Sequence, residues 1–329
     1  MVKNLSFPPH LLNRMVDLQE SPPKVQLKLT RVGVKNLTLE LNVSGKGGTI
    51  SLFPTIELYV DLPSTRRGVH MSRDPESLYE VLEKSDEFKV QHVEDFCETL
   101  VRNLLRKHDY ATMAEVNLYS TYAIPHQAPG QSVVTQEPVE IIAEATALRN
   151  NKGDVSVNRA IGVKVVGFTA CPCTQELLKT LSKDRLEKMG YEEKDVKKIL
   201  EVLPCATHTQ RTTGFVLLTI PEGHYVNVED LASIVEESMS GQTYAILKRP
   251  AEASIVEHAH RRTMFTEDVV REVLLALSKK YQNLPDSVGI FVQMHSNESV
   301  HKHDIIAERT TTFGEIREEM KAAVITKLP

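Results

Sequence analysis

Hydrophobic positions recur along the chain at two spacings, one typical of strands and the other of helices. The strand-like segment Arg31-Val-Gly-Val-Lys35 recurs as Ala160-Ile-Gly-Val-Lys164. Apolar residues at helical spacing behind an acidic first turn predict amphipathic helices over 93–105 and 266–277. The strand candidates that follow these two helices, 115–123 and 287–295, are rich in β-branched and aromatic residues. The chain is therefore predicted to consist of two similar halves.

Each half is predicted to contain strands, then paired helices, then strands. Further helices are predicted at 75–84, 175–188, 193–201 and 227–240. This order favours an α+β fold with antiparallel sheets over a doubly wound parallel sheet. The polar tract 125–138 and the turn at 150–154 are the predicted links. We place the boundary near residue 150, which gives a first half over 1–150 and a second over 151–329.

The charge composition of the chain limits the kinds of binding partner to expect. The chain has 329 residues, and its 39 basic and 44 acidic residues give a formal net charge of −5. That balance argues against nucleic acids and anionic membrane surfaces as general partners. Neither a secretory signal nor a run of about 20 apolar residues is recognisable, so we expect a cytoplasmic protein. Its four cysteines are then expected to be reduced and free to act as ligands or nucleophiles.

Two cysteines follow a predicted strand over 161–168. Cys171 and Cys173 flank a proline that should end regular pairing and expose both thiols in a turn. A single C-x-C motif is weak, and a pair of inert buried thiols accounts for it equally well. His208 precedes the predicted strand 215–220, where a lone histidine is more often structural.

Other candidate residues lie nearer the C-terminus. His301 and His303 are predicted to share one face of a strand, where they could bind a metal or divide ligand and acid–base roles. A solvated strand end is the alternative. Glu252 and Glu257 are assigned to a loop, where carboxylates are usually solvated. Thr266 followed by two acidic residues is typical of a helix N-cap with a favourable dipole interaction.

A basic segment near residue 70 is a candidate phosphate site. Three arginines and His70 fall within the eight residues 66–73 of this net-acidic chain. A basic turn balanced by neighbouring acidic side chains is an equally good interpretation.

Five segments taken in order resemble the metal-dependent GTP cyclohydrolases of type IB. They are Arg67-Gly-Val-His-Met-Ser-Arg73, Cys171-Pro-Cys173, His208-Thr-Gln-Arg211, Leu247-Lys-Arg-Pro250 with Glu252, and Glu298-Ser-Val-His-Lys-His303. The chain is most similar to the archaeal, iron-dependent branch of methanopterin biosynthesis, because residues 174–207 fill a gap that is a short loop in the bacterial enzymes. The apolar spacing of 174–207 indicates helices.

The resemblance implies a bimodular tunnelling fold that assembles into a homodimer or homotetramer with active sites at subunit interfaces. The implied metal ligands are Cys171, His208, Glu252 and His301. The implied catalytic residues are His303, Glu298 and Cys171. The implied substrate-binding residues are Glu267 for the purine and Arg67, His70, Arg73, Arg211, Lys248 and Arg249 for the triphosphate.

These residue types suit the implied chemistry. A divalent metal lowers the pKa of its bound water for attack on guanine C8, while His303 or Glu298 shuttles the proton and formate leaves. Glu267 can accept two hydrogen bonds from the guanine edge, which adenine cannot reproduce. Fe²⁺ comes from the resemblance alone, since Zn²⁺ or Mn²⁺ also accepts such ligands. The implied product is 7,8-dihydroneopterin 2′,3′-cyclic phosphate.

Two other functions are weighed against this one. A tunnelling-fold nitrile reductase would use a nucleophilic cysteine and NADPH without a metal. The histidines at 208, 301 and 303 argue against it. A non-catalytic protein with a closed structural zinc site would show four protein ligands and no position for water.

Overall fold

The computed structural model describes residues 17–45, 48–86, 90 and 92–325, and in that part it contains eleven strands and eight helices. The strands are β1 (Leu29–Thr38), β2 (Leu41–Gly45), β3 (Gly48–Leu52), β4 (Thr55–Leu62), β5 (Met113–Gln127), β6 (Val134–Arg149), β7 (Val155–Ala170), β8 (Thr209–Ile220), β9 (Gly241–Gln242), β10 (Gly289–Asn297) and β11 (Ile305–Thr312). The helices are α1 (Arg73–Asp86), α2 (Val93–Lys107), α3 (Pro172–Lys188), α4 (Glu193–Val202), α5 (Val228–Ser238), α6 (Arg249–Arg261), α7 (Thr266–Lys280) and α8 (Phe313–Ile325).

The chain divides into two compact units. The first contains 1–50, 55–117 and 145–157, and the second contains 51–54, 118–144 and 158–329. The boundary predicted near residue 150 falls within a segment of the first unit. The predicted links 125–138 and 150–154 include the turns between β5 and β6 and between β6 and β7.

The first unit combines antiparallel strands with a helix pair. Strand β1 pairs antiparallel with β4, and α1 packs against α2. The second unit places β7, β8, β10 and β11 side by side in that order, with each neighbouring pair antiparallel. The predicted α+β class with antiparallel pairing is therefore confirmed.

Helices α5 and α7 cover the core of the second unit. They contact each other, and they pack against β8 and β10 respectively. The buried side chains at these contacts are aliphatic, as expected from the alternating pattern of the strands and the 3.6-residue period of the helices. Val216, Val235, Val273, Leu277 and Val292 are all fully buried. None of the described helices combines the length and the apolar character needed to cross a bilayer.

The repeated Gly-Val-Lys motif has a physical cause. In β1, a Cβ on Gly33 would collide with the carbonyl oxygen of Leu58 in β4. In β7, a Cβ on Gly162 would collide in the same way with the carbonyl oxygen of Val216 in β8. Each glycine therefore lets a neighbouring strand approach closely. The recurrence seen in the sequence reflects one packing requirement that occurs twice.

Gly162→Ala tests this requirement. The added methyl group would lie nearest to the backbone carbonyl oxygen of Val216, which cannot rotate away as the Leu217 side chain can. We therefore expect the free energy of unfolding to fall by about 1–3 kcal/mol, as for other overpacked cores. Denaturant unfolding measures the change. Lys164→Ala is the matched control on the same strand, because its side chain is 45% exposed and surface changes usually alter stability by about 0.5 kcal/mol or less. Equal stability of the two variants would contradict the close-approach argument.

Candidate functional site

The paired ends of β7 and β8 bring Cys171 and His208 together. The last rung of this ladder joins Ala170 to Thr209, so the next residue on each strand must also be adjacent. The backbone N–H of Cys171 indeed donates to the carbonyl oxygen of His208 at 3.1 Å. Two residues that are far apart in sequence thus become neighbours through strand register alone.

Strand β10 adds Glu298 to the same end of the sheet. Asn297, its last residue, pairs with Arg211 of β8, and Glu298 follows directly. An oxygen of Glu298 (Oε2) lies 3.9 Å from Nδ1 of His208, and only 3% of the Glu298 side chain is exposed. The carboxylate therefore faces the imidazole from the interior of the unit.

His301 and His303 do not lie on a strand, contrary to the sequence prediction. Residues 301–303 form a bend in the connection between β10 and β11. The two rings nevertheless stack, with centroids 5.1 Å apart and planes at 21°. The His301 ring also meets the His208 ring edge to face, with centroids 6.3 Å apart. The two rings are therefore close, as expected, but a bend in the chain brings them together and not a shared strand face.

The two thiols of the Cys-Pro-Cys segment differ in environment. Cys171 is the N-cap of α3 and is half-buried, and its thiol donates to Oγ1 of Thr174 at 3.7 Å. Cys173 lies inside α3 and is exposed. The predicted exposed turn is therefore wrong, because Pro172 begins a helix rather than a loop, a position that its fixed φ favours.

Glu252 belongs to the first turn of α6, which corrects its assignment to a loop. It lines a cavity of about 530 Å³ together with Arg211 and Gln210 of β8 and His260 of α6. Arg211, Lys248 and Arg249 are all exposed, with Lys248 as the N-cap of α6. Cationic side chains and a helix N-terminus therefore stand beside this cavity, an arrangement suited to an anion.

Glu267 is exposed in the first turn of α7. Phe265, not Thr266, is the N-cap, and Thr266 is a buried first helical residue. The predicted threonine cap is thus wrong. The helix begins at Thr266 itself, one residue earlier than a threonine N-cap would place it. The N–H of Met264 donates to the carbonyl oxygen of Ala170 at 3.0 Å, which ties the start of α7 to the end of β7.

The segment 174–207 forms α3 and α4, as its apolar spacing predicts, and the two helices pack together. The side chain of Gln175 fixes this segment beside the cavity. Its amide nitrogen donates to the carbonyl oxygens of Cys205 at 3.0 Å and His260 at 2.5 Å.

The basic segment 66–73 lies in the first unit. Arg73 donates to the carbonyl oxygen of Lys107 at 2.9 Å, and Nε2 of His70 is 3.4 Å from Asp17. The Arg67 side chain is exposed and has no ion pair with a described residue. One guanidinium nitrogen of Arg73 is thus engaged at the end of α2, while the guanidinium of Arg67 is available to an anion.

The proposed metal ligands are only partly drawn together. Among described residues, no three of Cys171, His208, Glu252 and His301 bring ligand atoms within 4.8 Å of one another. The donor chemistry nevertheless suits a divalent transition metal, since it offers a thiol, imidazoles and a carboxylate. Nδ1 of His208 is 2.9 Å from Oε1 of Gln210. This contact leaves Nε2 of His208 as its ligand atom.

Sequence reasoning missed Gln210, although a signal was present. Gln210 follows His208 by two residues at the start of a strand, where alternate side chains share a face. It also missed a second cavity of about 480 Å³, which shares Gln242, Tyr244 and Ile255 with the first. Burial there, with nearby Glu137 and Glu237, raises the pKa of Glu236 to about 7.

Comparison with solved structures identifies the fold. A uricase from Arthrobacter globiformis matches with a TM-score of 0.52 at 9% identity, over 88% of this chain and 96% of that one. A uricase from Bacillus fastidious matches with a TM-score of 0.50 at 9% identity, over 89% of this chain and 96% of that one. The chain therefore has the tunnelling fold, as expected from its sequence.

Sequence comparison identifies the family. A protein-family model described as type I GTP cyclohydrolase folE2 matches residues 15–307 of the sequence. Proteins named GTP cyclohydrolase MptA are similar over 93% of this chain: 40% identical in Methanosphaera stadtmanae, over 97% of that protein, and 37% identical in Methanococcus aeolicus, over 99% of that protein. A further MptA, from Methanococcus vannielii, is 40% identical over 98% of its length. The chain belongs to the folE2 family of type I GTP cyclohydrolases.

Proposed function

We propose that this protein is a metal-dependent GTP cyclohydrolase that opens the imidazole ring of guanine and releases formate. One observation carries the proposal. The ends of β7, β8 and β10 bring a thiol, an imidazole and a buried carboxylate to one place, from residues 171, 208 and 298. The names of the relatives supply the substrate, and these side chains supply the chemistry.

Cys171, His208, Glu252 and His301 are the proposed ligands of a divalent metal ion, with Fe²⁺ as our choice and Zn²⁺ or Mn²⁺ as alternatives. When bound, the metal supplies a water molecule of lowered pKa near guanine C8. The half-buried thiol of Cys171 and the imidazole of His208 are already adjacent through their backbones.

The proton steps are assigned to Glu298 and His303. Two waters are consumed: the ring opens as C8 separates from a ring nitrogen, and C8 then leaves as formate. A carboxylate can take a proton from the attacking water and return it to the departing nitrogen. Glu298 is suited to this because its side chain is almost fully buried beside His208. The stacked His303 can relay the proton to solvent. We further propose 7,8-dihydroneopterin 2′,3′-cyclic phosphate as the product. After formate leaves, the freed amine closes the pterin ring on the opened ribose with loss of one water. The hydroxyl beside the triphosphate-bearing carbon then attacks the α-phosphorus, and diphosphate leaves.

Substrate recognition is assigned to one carboxylate and to several cationic side chains. Glu267 is proposed to accept hydrogen bonds from the N–H groups of the guanine edge. Arg211, Lys248 and Arg249 are proposed to meet the triphosphate, and Arg67, His70 and Arg73 are proposed as further triphosphate-binding residues. Arginine pairs with phosphate oxygens through two parallel hydrogen bonds, which gives it geometric selectivity.

A homodimer or homotetramer, located in the cytoplasm, is proposed as the working form. Glu252, Glu267 and His301 are all exposed in one chain, although a metal site and a purine site both require enclosure to exclude water. A second subunit would supply that enclosure. Sites at subunit interfaces therefore agree with the exposure of these residues.

Anaerobic incubation with Fe²⁺ and GTP, followed by formate release and pterin fluorescence, tests the proposed activity. Cys171→Ser is expected to lose bound metal and turnover. Cys173→Ser is expected to keep both, because Cys173 is exposed on α3. Metal content is measured on the purified variants. Equal metal retention by the two variants would refute the choice of Cys171. Formate release without metal would refute the proposed metal dependence, and the absence of formate under all conditions would refute the cyclohydrolase activity.

Glu267→Gln separates purine recognition from a helix-dipole role. The change keeps the shape but replaces an acceptor oxygen with a donor, so we expect weaker GTP binding. Loss of the dipole interaction alone would cost only about 0.3–1 kcal/mol of stability. Calorimetric titration with GTP measures the affinity, and Asp268→Asn on the same helical turn is the control. Unchanged GTP affinity in the Glu267 variant would support the structural role.

His301 and His303 are expected to have separable roles. His301→Asn should lose metal, because its ring contacts that of His208. His303→Asn should keep the metal while turnover falls by roughly 10²–10⁴-fold, as for a positioned acid–base group. Metal analysis and single-turnover kinetics on both variants provide the measurement. A metal-free His303→Asn protein would show that His303 is itself a ligand.

A further inference from the structure

A continuous row of buried polar side chains runs from His208 to Glu298 within the second unit. Its intermediate members are Gln210, Thr169, Thr212 and Ser296, which are 8%, 0%, 0% and 0% exposed. Thr169 is the register partner of Gln210 across β7 and β8, and Thr212 is the register partner of Ser296 across β8 and β10. Strand pairing therefore places two of the five links directly. Of the other three, two join residues that are two apart in sequence, and the third joins Thr169 to Thr212 diagonally across β7 and β8.

The direction of the hydrogen bonds can be worked out from the Glu298 end. As a carboxylate, Glu298 can only accept, and Oγ of Ser296 donates to its Oε1 at 3.4 Å. A hydroxyl has a single proton, so Ser296 must accept from Oγ1 of Thr212 at 3.3 Å. Thr212 has then used its own proton. It must accept from Oγ1 of Thr169, which lies 3.0 Å away.

The same argument continues to His208. Because Thr169 donates to Thr212, it accepts from the amide nitrogen of Gln210 at 3.1 Å. The amide is thereby oriented with its oxygen towards His208, at 2.9 Å from Nδ1. Nδ1 must therefore carry the proton. The second acceptor near this nitrogen, Oε2 of Glu298 at 3.9 Å, fits a donating Nδ1 as well.

We infer that Gln210, Thr169, Thr212 and Ser296 are positioning residues that act as one unidirectional hydrogen-bonded row. The row holds His208 as the tautomer protonated at Nδ1, with the lone pair of Nε2 available to a metal ion, and it holds Glu298 as the acceptor at its other end. In this buried setting a donor or acceptor without a partner is costly, so the hydrogen bonds of the row keep one common direction, towards Glu298. The inference rests on the proposed function only through the metal at Nε2.

The tautomer is measured first, on the metal-free wild-type protein. Long-range ¹H–¹⁵N spectra of histidine-labelled protein at pH 8 distinguish the two neutral forms of each ring, and His208→Gln identifies the relevant signal among the 12 histidines. A single Nδ1–H form is expected. An Nε2–H form, or an even mixture of both, would overturn the inference without the need for any folded variant of the row.

Thr169→Val is the main variant, because Thr169 orients Gln210 while its hydroxyl bonds to Gln210 and Thr212 rather than to His208 or Glu298. The valine keeps the shape and removes the hydroxyl. We expect Zn²⁺ affinity, measured by competition with a chelating dye, to fall about 10–100-fold, as for other lost partners of metal-binding histidines. The His208 signal should become a mixture of tautomers.

Two further variants distinguish positioning from general stability. Thr169→Ser keeps the hydroxyl and is expected to restore Zn²⁺ affinity and the single tautomer. Thr311→Val removes another buried hydroxyl, from a residue of β11 that donates to Glu315 at 2.6 Å. This variant is expected to leave Zn²⁺ affinity unchanged. Wild-type Zn²⁺ affinity in Thr169→Val, or an equal loss in Thr311→Val, would overturn the inference.

Neither measurement uses GTP, so the inference and the proposed function can fail separately. A wild-type protein with the Nδ1–H tautomer but no cyclohydrolase turnover would support the inference and contradict the proposed function. An active cyclohydrolase whose His208 is the Nε2–H tautomer would do the reverse.

Discussion

Antiparallel pairing of β7, β8 and β10 is the constraint on which the site depends. The rungs Ala170–Thr209 and Arg211–Asn297 fix which residues come next at the strand ends. Side chains alternate across a sheet, so a shift of one residue in either ladder would move each polar side chain to the opposite face. Strand register, more than any single side-chain contact, thus brings residues 171, 208 and 298 together.

Burial then determines which of these groups are fixed. The row from Gln210 to Ser296 is almost fully enclosed and every hydroxyl in it has a partner, as buried polar groups require. His301 and Glu252, in contrast, lie on exposed segments. The site therefore has two parts. The buried row is fixed by contacts within the single chain, whereas the exposed residues are open to substrate, metal or another subunit.

The helical segment after Cys171 is held to this site by the same kind of interaction. The amide of Gln175 donates to two backbone carbonyls, one from the end of the segment and one from α6. An insertion that seems unrelated to the chemistry in the sequence is therefore anchored to His260, a residue that lines the cavity. Its polar anchor is buried, whereas Leu177 on the same helix is 70% exposed.

Much of the fold could be predicted from the sequence because strands and helices follow from local periodicity. The helices around 93–105 and 266–277, the strands before and after them, and the repeated glycines at 33 and 162 were all readable in this way. Motif order was enough to indicate the family, because five short segments in sequence are far more specific than any one of them.

Tertiary structure decided what local patterns could not. The sequence alone put His301 and His303 on a strand, Glu252 in a loop and Cys173 in a turn, and all three placements were wrong, since a residue's local preference does not report how its segment packs. Gln210 could be noticed only by its spacing from His208. Its partner Thr169 lies 41 residues away, and only strand pairing joins them, because hydrogen-bond partners across a sheet are set by register and not by sequence distance.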